Sequence, residues 1–280
     1  MDTYSSGESH HTHSPRDWVV RAASTPQMER IEAYFQGHGF EMHRHDTYAI
    51  GRTLSGVQSF HYDKTKVNNL PGQTMVLHPD EPHDGHAGSD EGFRYRMFYL
   101  EPAVIQQILG GKPLPFIKGG VSHDPRLFAA TDVLLRDLDT PLDPLETDDA
   151  IYDLTMALQD AAGVRKGRQV INYVAAQRAR ERLLASVQDG VTLEELEQAT
   201  DTDRWRLSRD FRELFGTSPY RYLTLRRLDL VRQAIAQGMP LVEAAVLAGF
   251  VDQSHMTRQF VKAFGQSPGR WQKMLQARKG

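Results

Sequence analysis

FVKAFGQSPGRW (residues 260–271) repeats FRELFGTSPYRY (residues 211–222) without a gap at an offset of 49. Phe211 pairs with Phe260, Phe215-Gly216 with Phe264-Gly265, Ser218-Pro219 with Ser267-Pro268, and Arg221-Tyr222 with Arg270-Trp271. Further back, Arg209 falls on Arg258, Leu207 on Met256, Asp203 on Asp252 and Leu196 on Ala245. Agreement over about 20 positions means that one small structural unit is present twice.

Each unit reads as two helices about a tight turn. In VTLEELEQATD, Leu193 and Leu196 share a face, followed by Ala199 and Thr200 at near-helical spacing. Asp201-Thr202-Asp203 breaks the pattern, and Asp203 is placed to cap the helix RWRLSRDFRELF. That helix is expected to bury Leu207, Phe211, Leu214 and Phe215, leaving Arg204, Trp205, Ser208, Arg209 and Arg212 outside. Gly216 suits a left-handed C-cap, and Pro219 stops the helix. In the second copy PLVEAAVLAGF is the first helix, Gly249 supplies the turn, Asp252 caps, and QSHMTRQFVKAF is the second helix. Helix, Gly-containing turn, and helix with a polar, basic outer face define a helix-turn-helix, whose second helix fits the major groove. Between the copies, residues 219–237 read as one helix with Leu225, Leu228, Val231 and Ile235 inward. Its length of roughly 28 Å approaches the ~34 Å between successive major grooves on one side of the duplex.

These residues carry a resemblance. Residues 168–280, and AGFVDQSHMTRQFVKAFGQSPGRW (248–271) above all, resemble the DNA-binding domain of AraC/XylS-type bacterial transcription regulators. The resemblance implies that Gln253, Ser254, His255 and Arg258 face DNA from the second reader, and Trp205, Ser208 and Arg209, with Arg206, from the first. One departure stands out: the family places Gly and an aromatic before the first recognition helix, where this chain has Asp201-Thr202.

Composition agrees with a division into halves. Residues 1–164 hold 13 Lys and Arg against 24 Asp and Glu, a net of −11, and residues 165–280 hold 20 against 12, a net of +8. Eleven of the 12 histidines fall in the acidic half, leaving His255 alone in the basic one. The basic half is the one suited to a polyanion. With no Cys, disulfides, thiolate catalysis and Cys-based zinc sites are excluded. No apolar run reaches membrane-span length, and MDTYSSGESHHTHSP lacks the layout of a secretion signal. A disordered tail over 1–15, whose HHTH cluster is a solvated feature, and a cytoplasmic location are expected. Asp252, Ser254 and His255 resemble a hydrolase triad in composition only. Neighbours on a helix diverge by about 100°, so Ser254 and His255 cannot meet as nucleophile and base.

The acidic half changes to short β-type runs: TYAIGRTLSG, VQSFHYD, QTMVLHP and FRYRMFYL, with a turn at Leu70-Pro71-Gly72-Gln73. HRHD (43–46) and LPGQTMVLHPDEPH (70–83) resemble, over about 70 residues, the cupin-like sensor domain of the same regulators. A small-molecule effector pocket inside the barrel is expected, lined by His43, His45, Arg52, His83 and Arg96. His43, His45 and His83 also form the ligand set a metal would use. The carboxylate that cupin metal sites place after H-x-H is replaced by Tyr48-Ala49-Ile50, so neither metal nor cofactor is expected.

Residues 124–139 and 148–163 read as amphipathic helices, with stripes Leu127/Thr131/Leu134/Leu138 and Ile151/Leu154/Leu158, interrupted by PLDPLE. They serve either as barrel packing or as a dimer surface. The expected chain is therefore α+β with two domains. A cupin-like jelly-roll barrel (16–122) with a helical connector (123–164) precedes GVRKGR as linker and an all-α double helix-turn-helix domain (168–280). The function that follows is transcription regulation on double-stranded DNA under a small-molecule effector, with RNA polymerase and a second copy as further partners, no membrane and no catalysis. The rival is a cupin-type metal-dependent enzyme with an accessory helical domain, or an interaction module without DNA affinity. Neither rival explains the doubled 49-residue unit or its positive charge.

Overall fold

A computed structural model describes residues 17–22, 28–162 and 170–276. The expected tail and the GVRKGR linker lie outside these residues. Among the described residues, ten strands form two antiparallel sheets. They are β1 (Trp18–Arg21), β2 (Met28–Phe35), β3 (His38–His43), β4 (Tyr48–Gly56), β5 (Gln58–Tyr62), β6 (Thr65–Asn69), β7 (Thr74–Leu77), β8 (His83–Ala87), β9 (Phe93–Leu100) and β10 (Val121–Ser122). One sheet runs β1-β2-β9-β4-β7-β10 and the other β3-β8-β5-β6, which is the expected cupin-like sandwich.

The larger sheet is covered on both faces, which explains why its strands read as continuous apolar runs. Ala49, Met75, Leu77, Tyr95 and Met97 face the sandwich interior, while Ile50, Val76, Phe98 and Leu100 face outward. The outer side is covered by α1 (Pro102–Leu109), α2 (Pro125–Ala130) and α3 (Pro144–Ala162), through Ile105, Leu127, Ile151, Leu154 and Leu158. The stripes on the connector are thus packing faces.

Residues 124–139 do not form the single helix that their periodicity suggests. Helix α2 starts at an Asp124 cap, ends at Ala130 and gives way to turns. The physical reason lies in the sheet beneath. Buried Arg30 of β2 donates to the carbonyls of Leu134 (3.0 Å), Arg136 (2.7 Å) and Asp137 (3.0 Å), and Arg96 of β9 donates to that of Leu135 (2.8 Å). Carbonyls taken by guanidinium groups stand where no further helical turn offers amide donors.

Among the described residues, the regular structure of the basic half is helical: α4 (Tyr173–Ala185), α5 (Leu193–Thr200), α6 (Arg204–Phe215), α7 (Pro219–Ala236), α8 (Leu241–Leu247), α9 (Gln253–Phe264) and α10 (Pro268–Gln276). α5–α6 and α8–α9 are the two repeated units, joined by α7. Their cores are as expected: Leu207, Phe211, Leu214 and Phe215 in the first, Phe250, Met256 and Phe260 in the second, all buried. One residue departs. Leu193 is 53% exposed at the first position of α5, where the Thr192–Glu195 capping box fixes the helix start and only Leu196 and Thr200 turn inward.

Candidate nucleic-acid interface and effector cavity

The recognition helices are set by their caps. The Asp203 carboxylate accepts from the amides of Trp205 (2.9 Å) and Arg206 (3.3 Å), and that of Asp252 from the amide of His255 (2.6 Å). Gly249 turns the second unit at φ +78°, where a Cβ would fall 2.3 Å from the Gln188 carbonyl oxygen. The first unit has no glycine there, and Asp201 itself takes the left-handed conformation at φ 48°, ψ 42°. The turn is therefore made without a glycine.

With the apolar face of each helix buried, all eight DNA-facing residues expected from the sequence lie at least partly exposed. Trp205, Arg206 and Arg209 on α6 are open to solvent, Trp205 to 77%, with Ser208 half-buried beside them. On α9, Ser254 and Arg258 are exposed and Gln253 and His255 half-buried. The two readers differ in how their arginines are held. Arg209 donates through Nε and Nη2 to the buried Asp210 carboxylate (3.0 and 2.8 Å), and Arg206 Nε lies 3.7 Å from the same group. His255 stacks edge-on to Phe250 and approaches Gln259, not Ser254, so the apparent triad has no relay.

A cavity of about 540 Å³ opens between the sandwich and the helical domain. Its apolar surface comes from Met28, Phe40 and Tyr99 on one side and Leu225, Phe264 and Trp271 on the other. Its polar surface is an ion-pair network crossing the same boundary. Arg226 of α7 meets Glu101 (2.5 Å), Asp46 (3.0 Å) and Asp229 (3.3 Å), and Arg232 meets Glu29 at 2.7 Å. Arg21 lies against Glu29 at 2.5 Å and over the Trp271 ring. Four carboxylates thus share these three guanidinium groups, and Glu101 also meets Arg180 at 3.3 Å. Burial, only partly offset by Arg226 and reinforced by Asp46 and Glu101, pushes Asp229 up to about 7. Burial likewise raises Asp46 against the pull of Arg226 and Glu29 against that of Arg21.

Backbone contacts add to this docking. The Glu41 and Arg44 amides donate to the carbonyls of Gly265 (3.0 Å) and Lys262 (3.2 Å), pinning the end of α9 to β3. The α6 end is held separately, Gly216 packing so tightly on Pro79 that a Cβ would come within 2.3 Å. Both readers are therefore positioned by the sandwich.

Of the five expected effector residues, the structure brings together three. His43, His45 and His83 converge, although His45 lies beyond the end of β3 rather than on it. Burial, opposed by the backbone of Glu41 and of His83, lowers His43 to about 4. Burial and then His43 lower His45 to about 3, and burial with both neighbours lowers His83. All three are neutral at physiological pH. Arg52 and Arg96 do not join them. They stand on the outer face of the large sheet, where Arg52 bonds Phe128, Thr131 and Asp132 and Arg96 bonds Glu32 and Leu135. Strand parity placed them there, and no sequence signal fixed that parity. The sequence reading also missed Arg226, Asp229 and Arg232. Their spacing of three along α7 marks a polar stripe beside the apolar one.

With this geometry in view, comparisons with known proteins agree. Residues 25–155 match a family described as an AraC-like ligand binding domain, and residues 196–274 one described as a helix-turn-helix domain. The chain is similar to an uncharacterized HTH-type transcriptional regulator of Bacillus subtilis (strain 168), YbfI, at 25% identity over 240 residues, 81% of this chain and 86% of that one. It is also similar to the probable transcriptional regulator LumQ of Photobacterium leiognathi, at 40% identity over 63 residues, 22% of this chain and 25% of the relative. In three dimensions it resembles ToxT from Vibrio cholerae, with a TM-score of 0.65 at 10% identity over 89% of this chain and 99% of that one. Another ToxT structure, with a TM-score of 0.61 at 11% identity over 90% and 96%, holds an unsaturated fatty acid. At these identities the likeness is one of fold.

Proposed function

We propose how this chain, a transcription regulator of the AraC type with a ligand-binding domain and a helix-turn-helix DNA-binding domain, couples the two. The effector is a small molecule with an apolar body and a polar head, held in the interdomain cavity rather than deep inside the barrel. The observation that carries this reading is that the cavity is lined from both domains, so an occupant changes the free energy of docking. Its apolar body lies against Phe40, Tyr99 and Trp271, and its head competes for the Arg226–Asp229 network. A bound fatty acid in a ToxT structure supports an apolar body as one version of this effector.

On DNA, α6 and α9 enter successive major grooves. Trp205, Arg206, Ser208 and Arg209 serve the first, and Gln253, Ser254, His255 and Arg258 the second. Because each reader is anchored to the sandwich on its own, loosening the docking alters their spacing and hence affinity. In this scheme residues 16–122 are the sensing barrel, 123–164 the connector and 168–280 the DNA-binding domain. The exposed Leu145, Tyr152 and Met156 on the outer side of α3 suit a second copy. RNA polymerase is the downstream partner, the location is the cytoplasm, and no reaction is catalysed. Among the described residues no helix is long and apolar enough to cross a membrane.

The test begins with sites selected from random duplex DNA by the full chain, followed by a screen of small molecules for altered affinity. Affinity should fall steeply and log-linearly with salt, as phosphate contacts require. An active molecule should lose its effect in Arg226→Met while DNA binding remains. A salt-independent complex, or an effector response unchanged in Arg226→Met, overturns the scheme.

A further inference from the structure

The three convergent histidines carry a second inference. His43, His45 and His83 each present a ring nitrogen, and these lie within 4.8 Å of one another. The remaining contacts fix two of the tautomers. Nδ1 of His43 faces the Glu41 carbonyl at 2.8 Å, that of His45 the Thr47 carbonyl at 2.9 Å, and that of His83 the Glu81 carbonyl at 2.9 Å. A carbonyl oxygen only accepts, so Nδ1 of His45 and of His83 bears the proton and their Nε2 atoms keep the lone pair, while His43 also meets the backbone of His83. Among the described residues, none donates a hydrogen bond to any of the three Nε2 atoms.

Three imidazoles, each oriented by a backbone acceptor on the far nitrogen, form the arrangement by which proteins prepare histidine for a metal. We propose that His43, His45 and His83 bind one divalent transition ion of the zinc and cobalt class. Zinc bonds to histidine span about 2.0–2.1 Å, which in a tetrahedral site sets the nitrogens roughly 3.4 Å apart, so the three rings draw together around the ion. Among the described residues, no carboxylate completes the set. Tyr48, where a carboxylate ligand was sought, is buried and donates to the Pro115 carbonyl at 2.6 Å. His43 and His45 also line the interdomain cavity. The ion would join β8 to the segment 41–45, whose amides hold α9. Metal binding would therefore stiffen the platform for the second reader. The proposal stands apart from the effector scheme, because the ion alone is its probe.

A second grouping, His61, Asp84 and His86, lies on the more exposed face of β5 and β8. Its carboxylate already accepts from the His61 amide (2.6 Å) and ring (2.8 Å), so it serves as the control. The experiment uses the full chain carrying His10→Ala, His11→Ala and His13→Ala, stripped with a chelator. Zn²⁺ is titrated calorimetrically and Co²⁺ by visible absorption. The expected result is one equivalent per chain, with the ligand-field bands of a nitrogen-rich, low-coordinate Co²⁺ site and a higher melting temperature with Zn²⁺. His83→Gln and, separately, the more accessible His43→Gln should each weaken binding by about 10–100-fold, the scale seen even for outer-sphere partners. His61→Ala with His86→Ala should leave it unchanged. Melting of each metal-free variant checks that it folds, and the two ligand variants back each other. Absence of Zn²⁺ and Co²⁺ binding, binding that survives both ligand substitutions, or binding lost with His61 and His86 overturns the proposal.

Discussion

Residue identity decided several features that pattern alone left open. Asp201 stands where a glycine would be expected and still adopts φ 48°. An L-residue in that region is strained by about 1–2 kcal/mol, partly relieved for Asp by local polar contacts. Asp201→Gly should therefore raise the unfolding free energy by no more than about 1 kcal/mol, and Asp201→Val lower it by about 1–2 kcal/mol, in urea titrations. Asp229 supplies a pH signature. Its acidity is displaced upward to about 7, so the folded chain binds a proton that the unfolded chain releases nearer pH 4. The stability it contributes is present at low pH and lost as pH rises through that window. Asp229→Asn, which still faces Arg226, Asp46, Glu101 and Glu29, should remove this downward slope. The stability difference, wild type minus variant, should fall between about pH 4 and 7 and then level off. A pH-independent difference contradicts the assignment. None of this was visible in the sequence, because Asp229 owes its state first to burial against the sandwich and then to Asp46 and Glu101, 183 and 128 positions away.

Elements were legible wherever local chemistry sufficed. The repeated helix pairs, their caps at Asp203 and Asp252, and their stops at Gly216 and Gly265 follow from neighbours a few positions apart. The connector was less legible. Its period predicted a helix through residue 139, but the carbonyls of 134–137 are claimed by Arg30 and Arg96 from the sheet. Long-range acceptors outweigh a local preference worth a fraction of a kcal/mol per residue. Arg30→Met should leave those carbonyls without their donors and cost at least about 1.5–3 kcal/mol, read as a lowered urea midpoint. Strands β1 and β2 were missed because WVVR is short and MERIEAYF interrupts its apolar residues with charges. Two of the charges in β2 are satisfied on the outer face, Arg30 by the connector carbonyls and Glu32 by Arg94 and Arg96, while Glu29 meets Arg21 and Arg232 at the cavity.

For the molecule as a whole, the charge asymmetry has two uses. Part of the positive surplus faces outward on α6 and α9, and part is spent internally on the acidic sandwich, through Arg221–Asp80, Arg226–Asp46 and Arg232–Glu29. Composition suggested separate partners for the two halves, whereas the structure makes each half a partner of the other. That docking was illegible because every pair in it lies more than 100 residues apart in sequence. Its consequence is a pair of readers whose separation the sandwich controls. The central claim is that both readers engage one duplex together. Chemical footprinting on a selected site tests this most directly. The account predicts two protected major-groove segments on one face, about one helical turn of 10–10.5 base pairs apart. Arg258→Ala should erase one segment, leave the other and cost about 1–3 kcal/mol. A single protected segment, or protection unchanged in Arg258→Ala, would contradict it.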